Sequence, residues 1–487
     1  MNCKLSALAV GFGVMAWGSL ARAQDDPPPA NYTVDGAQGP ITGSTRVIGL
    51  GGAFVAIAEG MPGVAANPAS VAVRSPYSWN RMDVGFGVDF AIGSWLPDTD
   101  FLNQGDAPED DGEEEAEVEQ RSLLFGSVGL TLHYDHAGFG ISAEGQRQGL
   151  RRSEDTSAGL APTDLAGNFG IVHASVAYGF DAGQLVIGAG PRVTGVGLSG
   201  GSSTSGILSV AGVGFQGGVI FKPTNHQFRI GAAFKSAVTP ALDSEQSGTA
   251  ESAYRTSAIR LPWQASLGFA YQFGPRRLNP PFFSAEAQVM TLEYQLEKKQ
   301  AARKREIEAA KRVVQRAPTA ENRRGLAALE KLHEKEEEAE ERLIEKRIEQ
   351  AEERLKEEYF SRPRAYVLLT TELLMLGDSS DSVGFGSYYG SRSRVTLSGH
   401  NLTLSPRVGL ESEVIQNWLK LRAGSYLEPA RLDTAKDRIH GTFGFEVKLF
   451  RWNVFGLIGD FDSWTASAAV DGARDYLSTS FTVGFWH

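Results

Sequence analysis

Thiols are almost absent from this sequence. Cys3 is its only cysteine, and it precedes an apolar stretch, so it is not placed as a lipid-modified cysteine. No second thiol remains for a disulfide, and no cysteine for a metal site. The eight histidines are scattered, without a His-x-x-x-His or similar pair, so no metal is expected. Phosphate loops and dinucleotide motifs are missing as well, and no cofactor is expected. Gly197-Leu198-Ser199-Gly200-Gly201 matches Gly-x-Ser-x-Gly, but it reads as a Gly/Ser-rich outer loop, not as a strand-turn-helix. The chain is therefore not expected to be an enzyme, although a site built from lumen or loop residues stays open. A net charge of −11 argues against nucleic acid as a partner.

Long apolar runs are also lacking, except at the start. Lys4 gives a positive n-region, Leu5 to Leu20 is apolar and uncharged, and Ala21-Arg22-Ala23 supplies a small-x-small cleavage pattern. Residues 1–23 thus read as a cleaved signal peptide rather than a membrane anchor. After it, no run is long enough for a transmembrane helix. A membrane protein without such helices must close its backbone hydrogen bonds as a β-barrel.

What is present fits that alternative. Glycine is abundant, at 56 residues. From about residue 79 the sequence reads as strand after strand. Leu261, Trp263, Ala265, Leu267, Phe269, Tyr271 and Phe273 alternate with smaller or polar residues. Such runs exceed the roughly six residues typical of a soluble sandwich strand, the competing reading. Short connections near 134–136, 181–183, 222–225, 415–417 and 450–451 alternate with long ones, among them 97–120, 377–400 and 463–473. Short periplasmic turns and long outer loops are the pattern of outer-membrane barrels. The spacing predicts an all-β fold: a transmembrane antiparallel barrel of about fourteen strands over 79–487. Strand eight is placed at 258–274, strand thirteen at 451–462 and strand fourteen at 474–486. Outer-membrane lipid is the expected surroundings. The acidic stretch Asp98 to Glu119 should be an outer loop.

One segment breaks the β pattern. Residues 285–358 are dense in Glu, Lys, Arg and Ala. Val289, Leu292, Leu296, Ile307, Ala310 and Val314 fall at three-four spacing, as do Leu329, Leu332, Ile344, Ile348, Ala351 and Leu355 after Pro318. This predicts an inserted helical hairpin with a narrow apolar seam, on the periplasmic side by strand parity. It is either a solvated spacer or an element ordered by self-association or by a periplasmic protein partner.

Residues 24–78 precede the barrel and form a candidate N-terminal hatch. Gly49, Gly51 and Gly52 let the backbone bend tightly. Pro68 holds Asn67 extended, and the Asn67 side chain can lock the turn. Phe54, Val55 and Ile57 offer an apolar surface for a lipid-like ligand, or simply wedge the hatch in place. The run Arg46-Val47-Ile48-Gly49-Leu50-Gly51-Gly52-Ala53-Phe54-Val55-Ala56-Ile57-Ala58-Glu59, followed by Asn67-Pro68-Ala69-Ser70, resembles the hatch of FadL-like (long-chain fatty acid transporter) outer-membrane proteins and their PorV-like relatives. Leu419 to Tyr426 is similar to a late strand of that family. Departures are Glu59-Gly60, Ser70, the ending Phe485-Trp486-His487 and the helical hairpin.

The resemblance implies passive uptake of a hydrophobic small molecule of fatty-acid class, gated by the hatch. Arg229, Lys235, Arg407, Arg422 and Lys448 are lumen candidates to meet a carboxylate, with Glu411, Glu413 and Glu446 as competing ion-pair partners. The PorV-like relatives imply a second possibility, a secretion-associated scaffold that docks a periplasmic partner through the hairpin.

Overall fold

A computed structural model describes residues 32–37, 39–74, 82–93, 95–96, 99–103, 118–152, 163–200, 206–239, 256–281, 285–361, 363–379, 382–385, 396–432, 435–450 and 464–486. Residues 1–31, which include the expected signal peptide, most of the expected acidic loop and residues 451–463 lie outside them.

The strands in chain order are β1 Tyr32–Asp35, β2 Met82–Ile92, β3 Val118–Tyr134, β4 Ala137–Arg152, β5 Thr163–Phe180 and β6 Leu185–Gly200. They continue as β7 Gly206–Phe221, β8 Phe228–Lys235, β9 Thr256–Arg260, β10 Gln264–Phe273, β11 Val367–Leu376 and β12 Ser382–Gly384. The last six are β13 Leu397–Ser398, β14 Thr403–Ile415, β15 Leu419–Glu428, β16 Arg438–Lys448, β17 Thr465–Ala473 and β18 Tyr476–Trp486. Fourteen of them close into one antiparallel barrel, in the order β10-β11-β14-β15-β16-β17-β18-β2-β3-β4-β5-β6-β7-β8. Its ends join where β18 pairs with β2, Trp486 opposite Gly85.

Period-two alternation explains the wall. Leu267, Phe269, Tyr271 and Phe273 of β10 are exposed, whereas Gly268, Ala270 and Gln272 are buried. Phe90, Leu124, Leu130, Val176, Val213, Phe443 and Phe481 likewise face outward. A closed barrel with an apolar outside leaves no free sheet edge in lipid. The chain is an outer-membrane β-barrel protein.

Most of the tight turns stand at one end. Asp135, Asn225 and Asn417 take positive φ there, as Asp and Asn do with least strain. This end also carries both termini of the barrel and is the periplasmic one.

Two boundaries differ from expectation. The run predicted at 258–274 divides into β9 and β10, and Leu261 turns inward to bridge Val238. The thirteenth strand is β17, Thr465–Ala473, inside the segment read as an outer loop. Its outward side chains are Ala466, Ala468 and Val470, with Gly472, too small to signal a lipid-facing strand, while the aromatic-rich 451–462 suggested one. The outer connection from β17 to β18 is a tight Arg474-Asp475 turn, with Asp475 at φ 54°. Ser199 also lies within β6 rather than in a loop.

The four remaining strands form a small sheet over the outer mouth, in the order β13-β12-β1-β9. N-terminal strand β1 pairs in parallel with both β9 and β12, which belong to outer connections. Beneath it the hatch contains α1 Thr45–Gly49, α2 Gly60–Ala66 and a 3-10 turn over Pro68–Ala72. Between β10 and β11 run α3 Ala285–Arg316 and α4 Ala320–Ser361. They pair antiparallel through Lys299–Glu340 at 3.0 Å, Arg303–Glu340 at 2.8 Å and Lys311–Glu330 at 3.2 Å. Ile307, Ala310, Val314, Ile344, Ile348 and Ala351 are half-buried along the seam. Leu332, expected there, is 53 % exposed, and neighbouring His333 takes the seam position, 3.2 Å from Glu306.

Candidate functional site

The hatch fits the lumen by backbone contact. The Leu50 carbonyl oxygen lies 2.6 Å from where a Cβ on Gly409 would stand. Val55 and Ala56 press on Gly231, and Pro68 presses on Gly188, closely enough that neither position has room for a side chain. The glycine-rich inner face of the wall is the imprint of this segment. Gly51 and Gly52 take φ of +58° and +71°, the bend expected of them, and a Cβ on Gly51 would stand 2.7 Å from the Ser425 amide nitrogen.

Asn67 is the central fastener. It is extended at φ −151°, ψ 115°, and its Oδ1 accepts from the Ala69 amide at 3.1 Å. Its Nδ2 is 3.0 Å from the Val55 carbonyl and 3.3 Å from those of Val219 and Ala232. One buried amide thereby ties two hatch segments to strands β7 and β8. Pro68 opens the 3-10 turn, where its missing N–H costs nothing.

Glu372 of β11 is a fastener that no sequence pattern indicated. Its Oε2 accepts from two successive hatch amides, Phe54 at 2.9 Å and Val55 at 2.8 Å. The Arg407 guanidinium lies 3.8 Å from the other oxygen and also donates to the Gly52 carbonyl at 3.4 Å.

An alternating line of charge crosses the lumen beside this joint. Arg229 of β8 meets Glu59 at 3.1 Å, and Glu59 meets Arg46 at 2.8 Å. Arg46 continues to Glu411 of β14 at 2.9 Å, and Glu411 to Arg422 of β15 at 2.7 Å. Arg422 pairs with Glu446 of β16, which Lys420 also holds at 2.7 Å. Tyr366 donates to Glu411 at 2.9 Å, and Arg46 stands 5.4 Å from the Phe54 ring centroid. Buried ions demand partners on every side, and in this line each carboxylate has at least two.

The predicted residues therefore separate. Arg46, Glu59, Arg229 and Arg422 are brought together as one ion network, and Arg407 sits at the Glu372 joint. Lys448 is at the periplasmic rim, donating to Asn417 at 2.5 Å, and Glu413 bonds the Asn417 amide nearby. Val55 and Ile57 pack in the hatch, each 1 % exposed. Phe54 and Lys235 line a cavity of about 210 Å³ between the hatch and the outer cap. Among the described residues, no ion pair or hydrogen bond holds the Lys235 ammonium group. Arg192 shares this cavity, with its Nε buried and unpartnered and one terminal nitrogen bonded to the Ser236 carbonyl at 2.8 Å. Met61, Ile171 and Leu374 add apolar wall.

The outer cap is latched through Asp35, which is 4 % exposed. It accepts from Arg431 at 2.9 Å, Ser398 at 2.9 Å and Ser379 at 3.2 Å, all from the outer connections. Val34 inserts into an apolar cluster with Phe101, Phe169, Ile259, Val383 and Phe385. A second cavity of about 100 Å³ lies under this latch and shares Ala37, Gly39 and Arg407 with the first.

The class is defined by these parts: an outer-membrane barrel of fourteen strands whose lumen is filled by its own N-terminal segment. No protein-family model and no curated protein sequence matches the chain. Among solved structures it is similar to a Pseudomonas aeruginosa FadL homologue, with 12 % identity, a TM-score of 0.47, and coverage of 93 % of this chain and 99 % of that one. It is also similar to the CymD monoaromatic hydrocarbon channel, at 10 % identity, TM-score 0.45 and coverage of 92 % and 98 %. A TodX monoaromatic hydrocarbon channel mutant follows at 11 % identity, TM-score 0.44 and coverage of 91 % and 98 %. The first of these carries the name of the family that the hatch motif resembles.

Proposed function

We propose that this chain is a passive uptake channel for hydrophobic small molecules of fatty-acid class, closed by its N-terminal hatch. The observation that carries the reading is the cavity above the hatch. It joins apolar Phe54, Met61, Ile171 and Leu374 to two cations, Lys235 and Arg192, that have no carboxylate within ion-pair distance among the described residues, although Asp89, Glu144 and Glu372 line the same cavity. An amphiphile with a carboxylate head satisfies both halves, burying its chain at about 25 cal/mol per Å² and pairing its charge. Release toward the periplasm requires the hatch fasteners at Asn67 and Glu372 to give way. The chain supplies burial, a charge and a gate, with no covalent step.

The test is mass spectrometry of small molecules extracted from detergent-purified barrels, with wild type beside a variant lacking residues 46–70. A fatty acid or related apolar species in the wild type, depleted in the variant, supports the reading. Lys235→Glu should lower retention of a carboxylate ligand and spare a neutral hydrocarbon. Barrels that are empty in both samples, together with uptake unchanged by loss of the hatch, would remove it.

A further inference from the structure

The hairpin of α3 and α4 carries an apolar surface that its own seam does not use. Val313, Leu332 and Leu343 are 55 %, 53 % and 51 % exposed. The pairs Lys299–Glu340 and Arg303–Glu336 fix which residues lie level across the two helices. At 100° per residue, Val313 on α3 and Leu332 and Leu343 on α4 stand about a quarter turn from the seam, in the same sense. In an antiparallel pair those flanks belong to one broad face. Exposed Ala302, Ala309 and Ala339 lie on it too. From Val313 near the tip to Leu343 the strip runs about 25 Å at 1.5 Å per residue. The opposite face carries Lys304, Glu308, Glu334, Glu338 and Glu345, and the exposed Met290 and Tyr294 near the start of α3 also point away from the strip.

We infer that this face binds the same face of a second copy, making a four-helix bundle in the periplasm. Charge decides for a second copy. Helix α3 holds eight Lys and Arg against five Glu, whereas α4 holds nine against fourteen. Two hairpins hanging from one membrane are related by a two-fold axis along its normal. That operation lays the basic helix of each copy over the acidic helix of the other, at matching heights. A two-fold contact is self-complementary, as this strip requires. Bundle formation buries Val313, Leu332 and Leu343 and gives a thin two-helix seam the second layer that helices need for stability.

The test uses the full-length protein in membranes, in a Cys3→Ser background that leaves no other thiol. Leu343→Cys with a short bismaleimide should give a cross-linked dimer of the chain, and Glu345→Cys on the opposite face should not. In detergent, the wild type should run as a dimer by light scattering. The double variant Leu332→Glu, Leu343→Glu should run as a monomer with its helical circular dichroism retained. If that helicity fell, Val313→Lys alone should still lower the dimer fraction. A monomeric wild type, equal cross-linking at both cysteines, or a Leu343→Cys adduct only with a different protein would overturn the inference.

Discussion

Truncation of Glu372 isolates what holds the hatch against the barrel wall. Its Oε2 receives the Phe54 and Val55 amides at 2.9 and 2.8 Å in a buried setting. Hydrogen bonds to a charged group contribute about 1.5–3 kcal/mol each, so Glu372→Ala should cost about 3–6 kcal/mol of hatch docking. Two buried amides would also lose their acceptor, which places the effect toward the upper part of that range. At about 1.4 kcal/mol per factor of ten, the undocked population should rise by roughly two to four orders of magnitude. Glu372→Gln keeps an acceptor oxygen and loses only the charge, so its effect should be markedly smaller. The barrel itself should survive, because the β10–β11 and β11–β14 ladders do not use this side chain. The assay is protease cleavage within residues 46–74, read beside single-channel conductance in planar bilayers, with heat-modifiable gel migration as the control for barrel integrity. Wild-type protection and wild-type conductance in Glu372→Ala would refute the reasoning.

Other outcomes follow from the same contacts. Asn67→Ala should loosen the hatch by about 1–3 kcal/mol through lost buried hydrogen bonds, visible as faster hydrogen exchange at Val55 and Ala69. Gly409→Val should displace the hatch near Leu50 and raise conductance without unfolding the barrel, whereas Gly441→Val, where an added Cβ meets nothing within 4 Å, should leave conductance unchanged. Asp35→Asn should weaken the outer latch, since Arg431, Ser398 and Ser379 all converge on this carboxylate, and should speed ligand entry in stopped-flow uptake. In the hairpin, hydrogen bonds from Lys299 and Arg303 hold the Glu340 carboxyl below its ordinary range. Its contribution is therefore present above that ordinary value and lost as pH falls through the lowered one. Circular dichroism of Glu340→Gln should show a weaker acid-induced loss of helix than wild type.

Much of the barrel was legible because alternation is a strong signal where one face meets lipid. Leu267, Phe269, Tyr271 and Phe273 declare themselves. Strand β17 did not, since Ala466, Ala468 and Val470 cover little area and resemble a loop. The Asn67 turn could be read from local chemistry, because Asn before Pro constrains its own backbone. Glu372 could not, because its partners lie more than three hundred residues away and nothing near it in the chain marks it. Alternation marks the lumen cations as charges on an inward face, yet only the fold tells Arg229, bound to Glu59, from Lys235 in the cavity. The latch of β1 was invisible for a similar reason. Four residues of parallel strand carry no pattern of their own, and their partners come from distant outer connections.

The glycines facing the hatch have a consequence for the emptied barrel. Where backbone lies on backbone, the wall has been stripped of side chains to admit its own N-terminal segment. A fourteen-strand ring furnished with ordinary inward residues narrows itself. This one does not along the track of Leu50, Val55 and Pro68. Freed of its hatch, it should admit larger solutes than its strand number implies, so its sieving limit belongs to the missing filler rather than to the ring.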